Sequence, residues 1–206
     1  MIKHETITKI LEHGLSKGAD FTEVFVEDSK SSSFNLLDRK IDQIQSSNSF
    51  GIGIRLLFGD EAYNCYSSDP DEANLIKLTG NLAESGKSGP STDPETLEKQ
   101  SVQDIHHVAV NPETVSDHER VELLRKFDES TRSHGGDIQQ VNANMLEKQR
   151  SVLIANSEGL MVEDSRDYAR MRLSAIAEKG DGPQTAAESP GAVSYTHLTL
   201  PTKRIV

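Results

Sequence analysis

The sequence predicts an α+β fold in which a largely antiparallel sheet carries packed helices. Short segments rich in β-branched and aromatic residues alternate with polar turns, which is typical of strands. Apolar residues recur at helical spacing in three other places. Hydrophobic residues make up only 34% of the 206 residues and there is no Trp, so modest aliphatic clusters are expected to form the interior. Two successive groups of strands, each with a helix, indicate the α+β class.

The first group of elements begins with a helix that should end near Gly14 or Gly18. Strands are predicted over residues 21–27, around Phe34, around Ile41 and Ile44, over residues 51–58, and after a turn at Gly59-Asp60. Together they suggest an antiparallel meander. A second helix, over residues 73–82, is expected to cover the sheet and to end near Gly86.

The second group follows residues 87–100, whose Ser, Pro and charged side chains predict an exposed connection. Ser116 and Glu119 predict a capping box at the start of a helix that ends by Gly135-Gly136. Its buried face is predicted to consist of Val121, Leu123, Leu124 and Phe127. Three β segments are then expected, over residues 137–149, 150–165 and 166–180, with a turn at residues 156–159.

Charge and cysteine content exclude several kinds of protein. The formal net charge is −11, which argues against nucleic acid or an acidic membrane surface as a partner, because phosphate binding depends on Lys and Arg. Cys65 is the single cysteine, so the chain can form neither an internal disulfide nor a thiolate metal cluster. No stretch approaches the roughly 18–20 apolar residues of a membrane span. We therefore expect a soluble, cytoplasmic protein.

The last residues differ from the rest of the chain. Residues 193–202 correspond codon by codon to the translation of a transposase-end adapter used in preparing sequencing libraries, and Lys203-Arg204 follow a long acidic sequence. A natural terminal strand is the alternative, since Tyr195, Leu198 and Leu200 could pack. We expect one natural domain over residues 1–192, which the sequence need not contain in full, and an adapter-derived tail over residues 193–206.

Four segments occur in an order that resembles the amino-terminal domain of the TldD/PmbA family, and in particular its TldD-type subunit. They are GADFTEVFVED at residues 18–28, GIGIRLLFG at 51–59, VSDHERVELLRKFDE at 115–129, and VLIANSEGLMVEDSRDYARMRLSAIAEKG at 152–180. The run QTAAESPGA at residues 184–192 extends the similarity. The order and separation of these segments carry the resemblance, because none of them is diagnostic alone.

The resemblance implies a zinc-dependent metallopeptidase that acts on extended or unfolded peptides and works with a PmbA-type (TldE) partner subunit. Family members are expected to carry a His-Glu-x-x-x-His helix beyond the region that this sequence resembles. Two such imidazoles can share a metal while the Glu accepts a proton from bound water. We therefore expect this fragment to bind no metal, to contain no catalytic residue and to be inactive by itself.

The histidines present do not have the family's spacing. Neither His4-Glu5 nor His118-Glu119 is followed by a histidine at the required position, and His106-His107 are adjacent residues that would point to opposite sides of an extended segment. A polar surface role is expected for that pair. Cys65 lies in a predicted strand, where a packed thiol is more common than a nucleophile.

Two further patterns leave alternatives open. Asp164, Arg166 and Asp167 could form a charged turn near a peptide channel, although a solvated turn is the simpler interpretation. Gly51 and Gly53 indicate a bulge or the start of a strand, and residues 34–66 could offer a sheet edge to an extended substrate. The substrate-binding residues are therefore unknown at this point. The alternative to a peptidase subunit is a non-catalytic α+β module that binds a peptide or protein.

Overall fold

Three α-helices and eight strands follow one another in the computed structural model, which describes residues 2–86, 92–101, 110–178, 180 and 182–192. In chain order the elements are α1 (His4–Ser16), β1 (Phe21–Leu37), β2 (Lys40–Phe58), β3 (Glu61–Ser67), α2 (Glu72–Ala83), β4 (Glu98–Gln100), a short 3-10 helix (Pro112–Thr114), α3 (Asp117–Ser133), β5 (Ile138–Asn156), β6 (Leu160–Glu178), β7 (Pro183–Glu188) and β8 (Gly191–Ala192). The predicted α+β class is confirmed.

The strands are hydrogen-bonded in the order β3-β2-β1-β5-β6-β4, and β7 and β8 also pair with β6. Strand β3 is antiparallel to β2, and β7 is antiparallel to β6. Strand β4 is parallel to β6. The sheet is therefore largely antiparallel, as predicted, with β3 at one end of the strand order.

Four of the strands are longer than the sequence patterns indicated. The strands predicted over residues 21–27 and around Phe34 are one strand, β1, and those around Ile41 and over residues 51–58 are one strand, β2. The three β segments predicted after α3 are two strands, β5 and β6. The Ser-rich stretches that the sequence patterns indicated as breaks between strands have an extended backbone. Ser fits a half-exposed strand as well as a turn.

The predicted exposed connection at residues 87–100 is partly wrong. Residues 87–91 lie outside the described part of the chain, and Glu98–Gln100 form β4. The three side chains of β4 are exposed, so the composition correctly indicated exposure. Pairing with Leu160–Val162 of β6 supplies the strand conformation, and local sequence does not reveal a partner so distant along the chain.

The described chain divides into two units, and neither is a continuous segment. Unit 1 comprises Met1–Ser29, Asn48–Gln103 and Arg150–Ser165. Unit 2 comprises Lys30–Ser47, Asp104–Gln149 and Arg166–Val206.

Unit 1 has a core between its strands and helices α1 and α2. The apolar face of α1 is fully buried, and α1 contacts α2. Ile7 and Ile10 of α1 and Leu75 of α2 have no exposed surface. The cluster also includes Val24, Val26, Ile52, Ile54, Leu56, Leu153, Ala155 and Met161.

Unit 2 has a separate core under α3. Leu124 of α3 is fully buried against Phe34, Leu36, Ala143, Met145 and Met171. Val121, Leu123 and Phe127, predicted as the buried face of α3, are half-buried against this cluster. The predicted capping box is confirmed: the Ser116 hydroxyl accepts a hydrogen bond from the Glu119 backbone, and the Glu119 carboxylate accepts one from the Ser116 backbone.

Candidate functional site

The two His-Glu pairs of the sequence lie at the starts of helices. His4 is the first residue of α1, and its Nε2 lies 3.5 Å from Oε1 of Glu163 on β6. Glu163 also accepts a hydrogen bond from Nζ of Lys99 at 2.5 Å. This hydrogen bond lowers the pKa of Glu163 below its ordinary value, so the carboxylate is held ionised between two basic side chains.

His118 lies in the first turn of α3, where its neighbour Glu119 is engaged in capping. Oε2 of Glu119 lies 2.7 Å from both the backbone nitrogen and the hydroxyl of Ser116. Hydrogen bonds from the backbone and then from the hydroxyl lower the pKa of Glu119. The carboxylate of Glu119 therefore serves to cap helix α3. The pair His106-His107 lies outside the described residues.

A zinc site would need several His, Cys, Asp or Glu side chains converging on one point. Across residues 2–86, 92–101 and the described positions from 110 to 192, no three such side chains come close enough together to hold a metal ion. His4 and Glu163 supply two possible ligands, but Lys99 is the third group beside them and cannot bind a cation. The described donor set does not fit zinc.

A cavity of about 480 Å³ lies beside the exposed face of α1 in unit 1. Its walls include His4, Thr8 and Glu12 of α1, residues 93–97, Lys99 and Met161. The two basic groups on its wall, His4 and Lys99, are both held by Glu163. The cavity can accept polar groups, but its two basic side chains are paired with Glu163 and link α1 and β4 to β6.

Cys65 lies in β3 and packs against the core of unit 1, as the sequence indicated. Burial raises the pKa of its thiol, so the reactive thiolate is scarcer than for an exposed cysteine. This environment is that of a packing residue.

The charged turn predicted at Asp164, Arg166 and Asp167 is wrong. All three residues lie inside β6, which continues from Leu160 to Glu178. A run of charged residues resembles a turn in composition, but here the neighbouring strands supply the pairing that keeps the backbone extended. The hypothesis of a charged turn beside a peptide channel therefore fails.

Gly51 and Gly53 lie in the interior of β2, so their predicted place at the start of a strand is wrong. Gly53 pairs with Tyr66 of β3, and a Cβ atom at position 53 would lie 3.3 Å from the Tyr66 ring. The glycine thus lets this ring, on a side chain that is 82% exposed, lie across the neighbouring strand.

Sequence reasoning missed a buried ionic cluster in unit 2. The side chains of Arg120 and Glu147 are only 9% and 6% exposed, and Nη2 of Arg120 lies 2.8 Å from Oε2 of Glu147. The guanidinium also donates to the backbone carbonyls of Pro112 and Val115. Its carbon lies 5.6 Å from the centre of the Phe34 ring. All these contacts connect α3 with the segment before it and with the strands.

A second buried carboxylate, Asp128, lies further along α3, eight residues after Arg120. Its side chain is 2% exposed, and its Oδ1 lies 3.2 Å from Nε of Arg132. Arg132 in turn donates from Nη2 to Asp38 at 2.7 Å. The spacing of four residues between Asp128 and Arg132 is the one available signal, since it allows an ion pair on a helix. Burial of the pair depends on partners that are distant along the chain.

An exposed stretch of β2 provides an unpaired strand edge in unit 2. Residues Lys40–Ser47, which we call the free edge, follow a two-residue turn in which Asp38 and Arg39 have φ values of 47° and 68°. Among the described strands, β2 has only β1 and β3 as neighbours, and its pairing with β3 begins at Ile52. The outer side of the free edge is therefore open, within the part of the chain that the structure describes.

Two family models match the chain and identify the class of protein. The model of the PmbA/TldA metallopeptidase domain 1 matches residues 22–85, and that of the central domain matches residues 110–200. Together the matches cover about three quarters of the chain. The chain belongs to the PmbA/TldD metallopeptidase family, which confirms the resemblance found in the sequence.

Curated relatives point to the TldD-type members of that family. The chain is 23% identical over 181 residues to a metalloprotease TldD homologue of Haemophilus influenzae, covering 85% of this chain and 37% of that protein. It is 24% identical over 178 residues to a metalloprotease TldD homologue of Buchnera aphidicola, covering 86% of this chain and 37% of that protein. The chain thus spans a little over a third of these relatives.

Solved structures share the fold. A Thermotoga maritima protein described as a candidate modulator of DNA gyrase matches with a TM-score of 0.77 at 15% identity, over 95% of this chain and 44% of that chain. TldE from Thermococcus kodakarensis matches with a TM-score of 0.66 at 15% identity, over 90% of this chain and 42% of that chain.

No helix within the described residues is both long and apolar enough to span a membrane.

Proposed function

We propose that this chain is the amino-terminal part of a zinc-dependent peptidase subunit of the TldD type, acting on extended or unfolded peptides. The observation that carries the proposal is the match of two successive metallopeptidase domain models, in order, along a chain that spans 37% of its TldD relatives. Bound zinc would supply Lewis acidity and an activated water in a domain beyond these residues. The present residues would shape the substrate chamber and meet a PmbA-type partner subunit in the cytoplasm.

The proposal is tested on the parent reading frame. We expect the genomic sequence to continue past Ala192 into a helix with a His-Glu-x-x-x-His motif. The full subunit, purified with its PmbA-type partner, should cleave an unfolded peptide, lose the activity with a chelator and regain it with zinc. A subunit in which both motif histidines are replaced by Ala is the matched control. A natural stop codon soon after Ala192, or activity insensitive to the chelator, would contradict the proposal.

The 206-residue chain itself should be inactive. We expect it to bind no stoichiometric zinc and to hydrolyse no peptide, because the metal ligands are proposed to lie elsewhere in the parent. Metal analysis and a peptidase assay of the purified chain check this, with the full complex as the positive control. Zinc-restored hydrolysis by the chain alone would show that the catalytic domain assignment is wrong.

We also propose that the natural domain covers residues 1–192 and that residues 193–206 derive from the adapter. The codon-by-codon correspondence supports this extent. A genomic read that crosses codon 193 in the same natural frame, with no adapter or index sequence following, would contradict it.

A non-catalytic peptide-binding module is the second candidate, and the free edge at Lys40–Ser47 is the observation that favours it. It requires only residues that are present. A parent protein that binds extended peptide but carries no downstream metal motif would decide for this alternative.

A further inference from the structure

We propose that, in the parent subunit, the polypeptide that follows Ala192 packs on the face of the unit 2 sheet that is turned away from α3. We call this surface the open face and define it by five exposed side chains, those of Ile44, Leu146, Tyr168, Arg170 and Arg172. The covering segment is expected to be apolar, with acidic side chains at its edge. The inference rests on the proposed function, because it takes this chain as the amino-terminal part of a longer subunit, and it adds the interface that joins the two parts.

Strand alternation places large apolar side chains on the open face. In β5, Met145 and Glu147 are 0% and 5% exposed, so Leu146 between them points to the opposite side of the sheet, where it is 45% exposed. In β6, Met171 packs in the core under α3. Tyr168, three residues earlier, therefore points away from α3 and is 37% exposed. Two neighbouring strands thus carry apolar side chains into solvent on the same face.

Ile44 of β2 lies on this face as well. Phe34 and Leu36 of β1 are buried under α3, so Asn35 between them points to the open face. Asn35 donates from Nδ2 to Oδ2 of Asp42 at 3.0 Å, which places Asp42 on the same side. Ile44, two residues further along β2, shares that side and is 47% exposed.

Ser33 of β1 separates two of these apolar side chains. The Asp38 backbone N–H donates to the carbonyl of Val141 at 3.0 Å, and the antiparallel register that continues from this bond places Ser33 opposite Leu146. The β1-β2 hairpin places Ser33 opposite Ile44 on its other side. Neighbouring strands are about 4.8 Å apart, so roughly 10 Å separates the two apolar side chains. The small serine leaves room between them for an apolar side chain of the covering segment.

The β6 side of the open face is basic. Arg170 and Arg172 flank the buried Met171, so both side chains point away from α3, and both are exposed. Arg170 donates from Nε to the hydroxyl of Ser189 at 2.9 Å, and this acceptor is neutral. Neither arginine has a carboxylate partner among the residues that the structure describes. Acidic side chains beside the apolar ones would therefore complement this surface.

Strand β8 brings the chain to the border of the open face. Gly191 pairs with Arg170, and Ala192 pairs with Ala169. This chain spans 37% of its TldD relative from Haemophilus influenzae, so on the proposed function the parent polypeptide continues from this border. A tethered segment has an effective concentration on the order of millimolar. It therefore occupies the face ahead of a separate protein, which would need an interface of about 1,200–2,000 Å² to bind stably.

The test compares the reactivity of one introduced thiol in the 206-residue chain and in the parent subunit purified without a partner. Cys65→Ser removes the native thiol, and Leu146→Cys is added in that background. The reference is Glu122→Cys, because Glu122 lies on the exposed surface of α3. In the 206-residue chain, a maleimide should label both thiols at similar rates. In the parent, labelling at residue 146 should be about tenfold slower relative to residue 122, because a covered thiol reacts only when the interface opens.

Slowing at residue 146 no greater than that at residue 122 would overturn the inference. Protection that appears only when the PmbA-type partner is added would do so as well, because the partner would then be the occupant. Protection in the 206-residue chain that grows with its concentration would identify a second copy of the chain as the occupant, with the same consequence.

A stability measurement gives a second readout. Leu146→Asp should leave the thermal midpoint of the 206-residue chain unchanged, since residue 146 is exposed there, and should lower that of the parent by about 3–5 °C. Leu146→Met is the matched control and should be tolerated in both. An equal effect of Leu146→Asp in the two proteins would contradict a covered face.

The proposed function is judged separately, by zinc-restored peptide hydrolysis in the parent complex. A parent that hydrolyses peptide yet is labelled freely at residue 146 keeps the function and refutes the interface. A parent that is protected at residue 146 but hydrolyses nothing does the reverse.

Discussion

At the scale of single residues, the charged groups that matter most in unit 2 are those removed from water. Arg120 is surrounded by Glu147, two backbone carbonyls and the Phe34 ring. Removing charges from water is costly, and attraction between them offsets the cost only when both partners are present. Loss of either Arg120 or Glu147 would therefore leave the other as a buried charge without a counter-charge.

Replacing Glu147 with Gln should lower the free energy of unfolding by about 3 kcal/mol, because the buried guanidinium would lose its counter-charge. Urea unfolding followed by circular dichroism measures the change. Glu122→Gln is the control, since Glu122 forms an exposed ion pair with Arg125 and its loss should leave the midpoint unchanged. The double variant Arg120→Met/Glu147→Leu should recover most of the stability, and no recovery would show that packing geometry dominates.

At the scale of secondary-structure elements, the start of α3 depends on its capping box. The Ser116 hydroxyl accepts from the Glu119 backbone at 3.2 Å. Replacing Ser116 with Ala should cost about 1 kcal/mol, since a backbone donor loses its partner. Ser116→Thr, which keeps the hydroxyl, is the matched control and should lose much less. Equal losses in the two variants, measured by urea unfolding, would contradict a capping role.

The other half of the box predicts a pH dependence. Hydrogen bonds from Ser116 hold the pKa of Glu119 below its ordinary value of 4.5. A carboxylate with a lowered pKa in the folded state contributes stability above the ordinary value and loses it as pH falls through the folded-state pKa. The stability difference between the unchanged chain and Glu119→Gln should therefore be constant above pH 4.5 and shrink below it. A difference that grows on acidification would contradict this sign.

Features that depend on neighbouring residues were predicted correctly from the sequence. Features that depend on residues distant along the chain were not. The capping box, the turn at Gly59-Asp60 and the turn at residues 156–159 depend on neighbouring residues, so the sequence reveals them. The joining of short strands into β1 and β2 depends on pairing across the sheet. For the same reason the burial of Arg120 and Asp128 was not predicted, because it is decided by residues far along the chain.

The candidate site was predictable only in outline. A sheet edge within residues 34–66 was one of the alternatives that the strand pattern left open, but which strand is open follows from the strand order and from the register of β2 with β3. The family was recognisable because the order of its segments is a property of sequence. The contacts of Glu163 with His4 and Lys99 could not be recognised in the sequence, because three separate segments contribute them.

At the scale of the whole molecule, the core of unit 1 is assembled from segments that are far apart along the chain. Leu153, Ala155 and Met161 lie in the same cluster as Ile7 and Val24. Residues 1–101 expressed alone should therefore show no cooperative thermal transition, whereas the 206-residue chain should show one. Circular dichroism and proton NMR check this. A folded, cooperatively unfolding fragment would show that β5 and β6 are dispensable for this core.

The central position of β1 has a consequence for the way the protein is made. Strand β1 pairs with β5 on one side, and β5 begins at Ile138, about a hundred residues later in translation. On the ribosome, the nascent hairpin of β1 and β2 emerges long before its second neighbour exists. During that interval the inner edge of β1 is as open as the outer edge of β2, so the growing chain depends on rapid completion, or on a chaperone, to avoid pairing with other nascent strands.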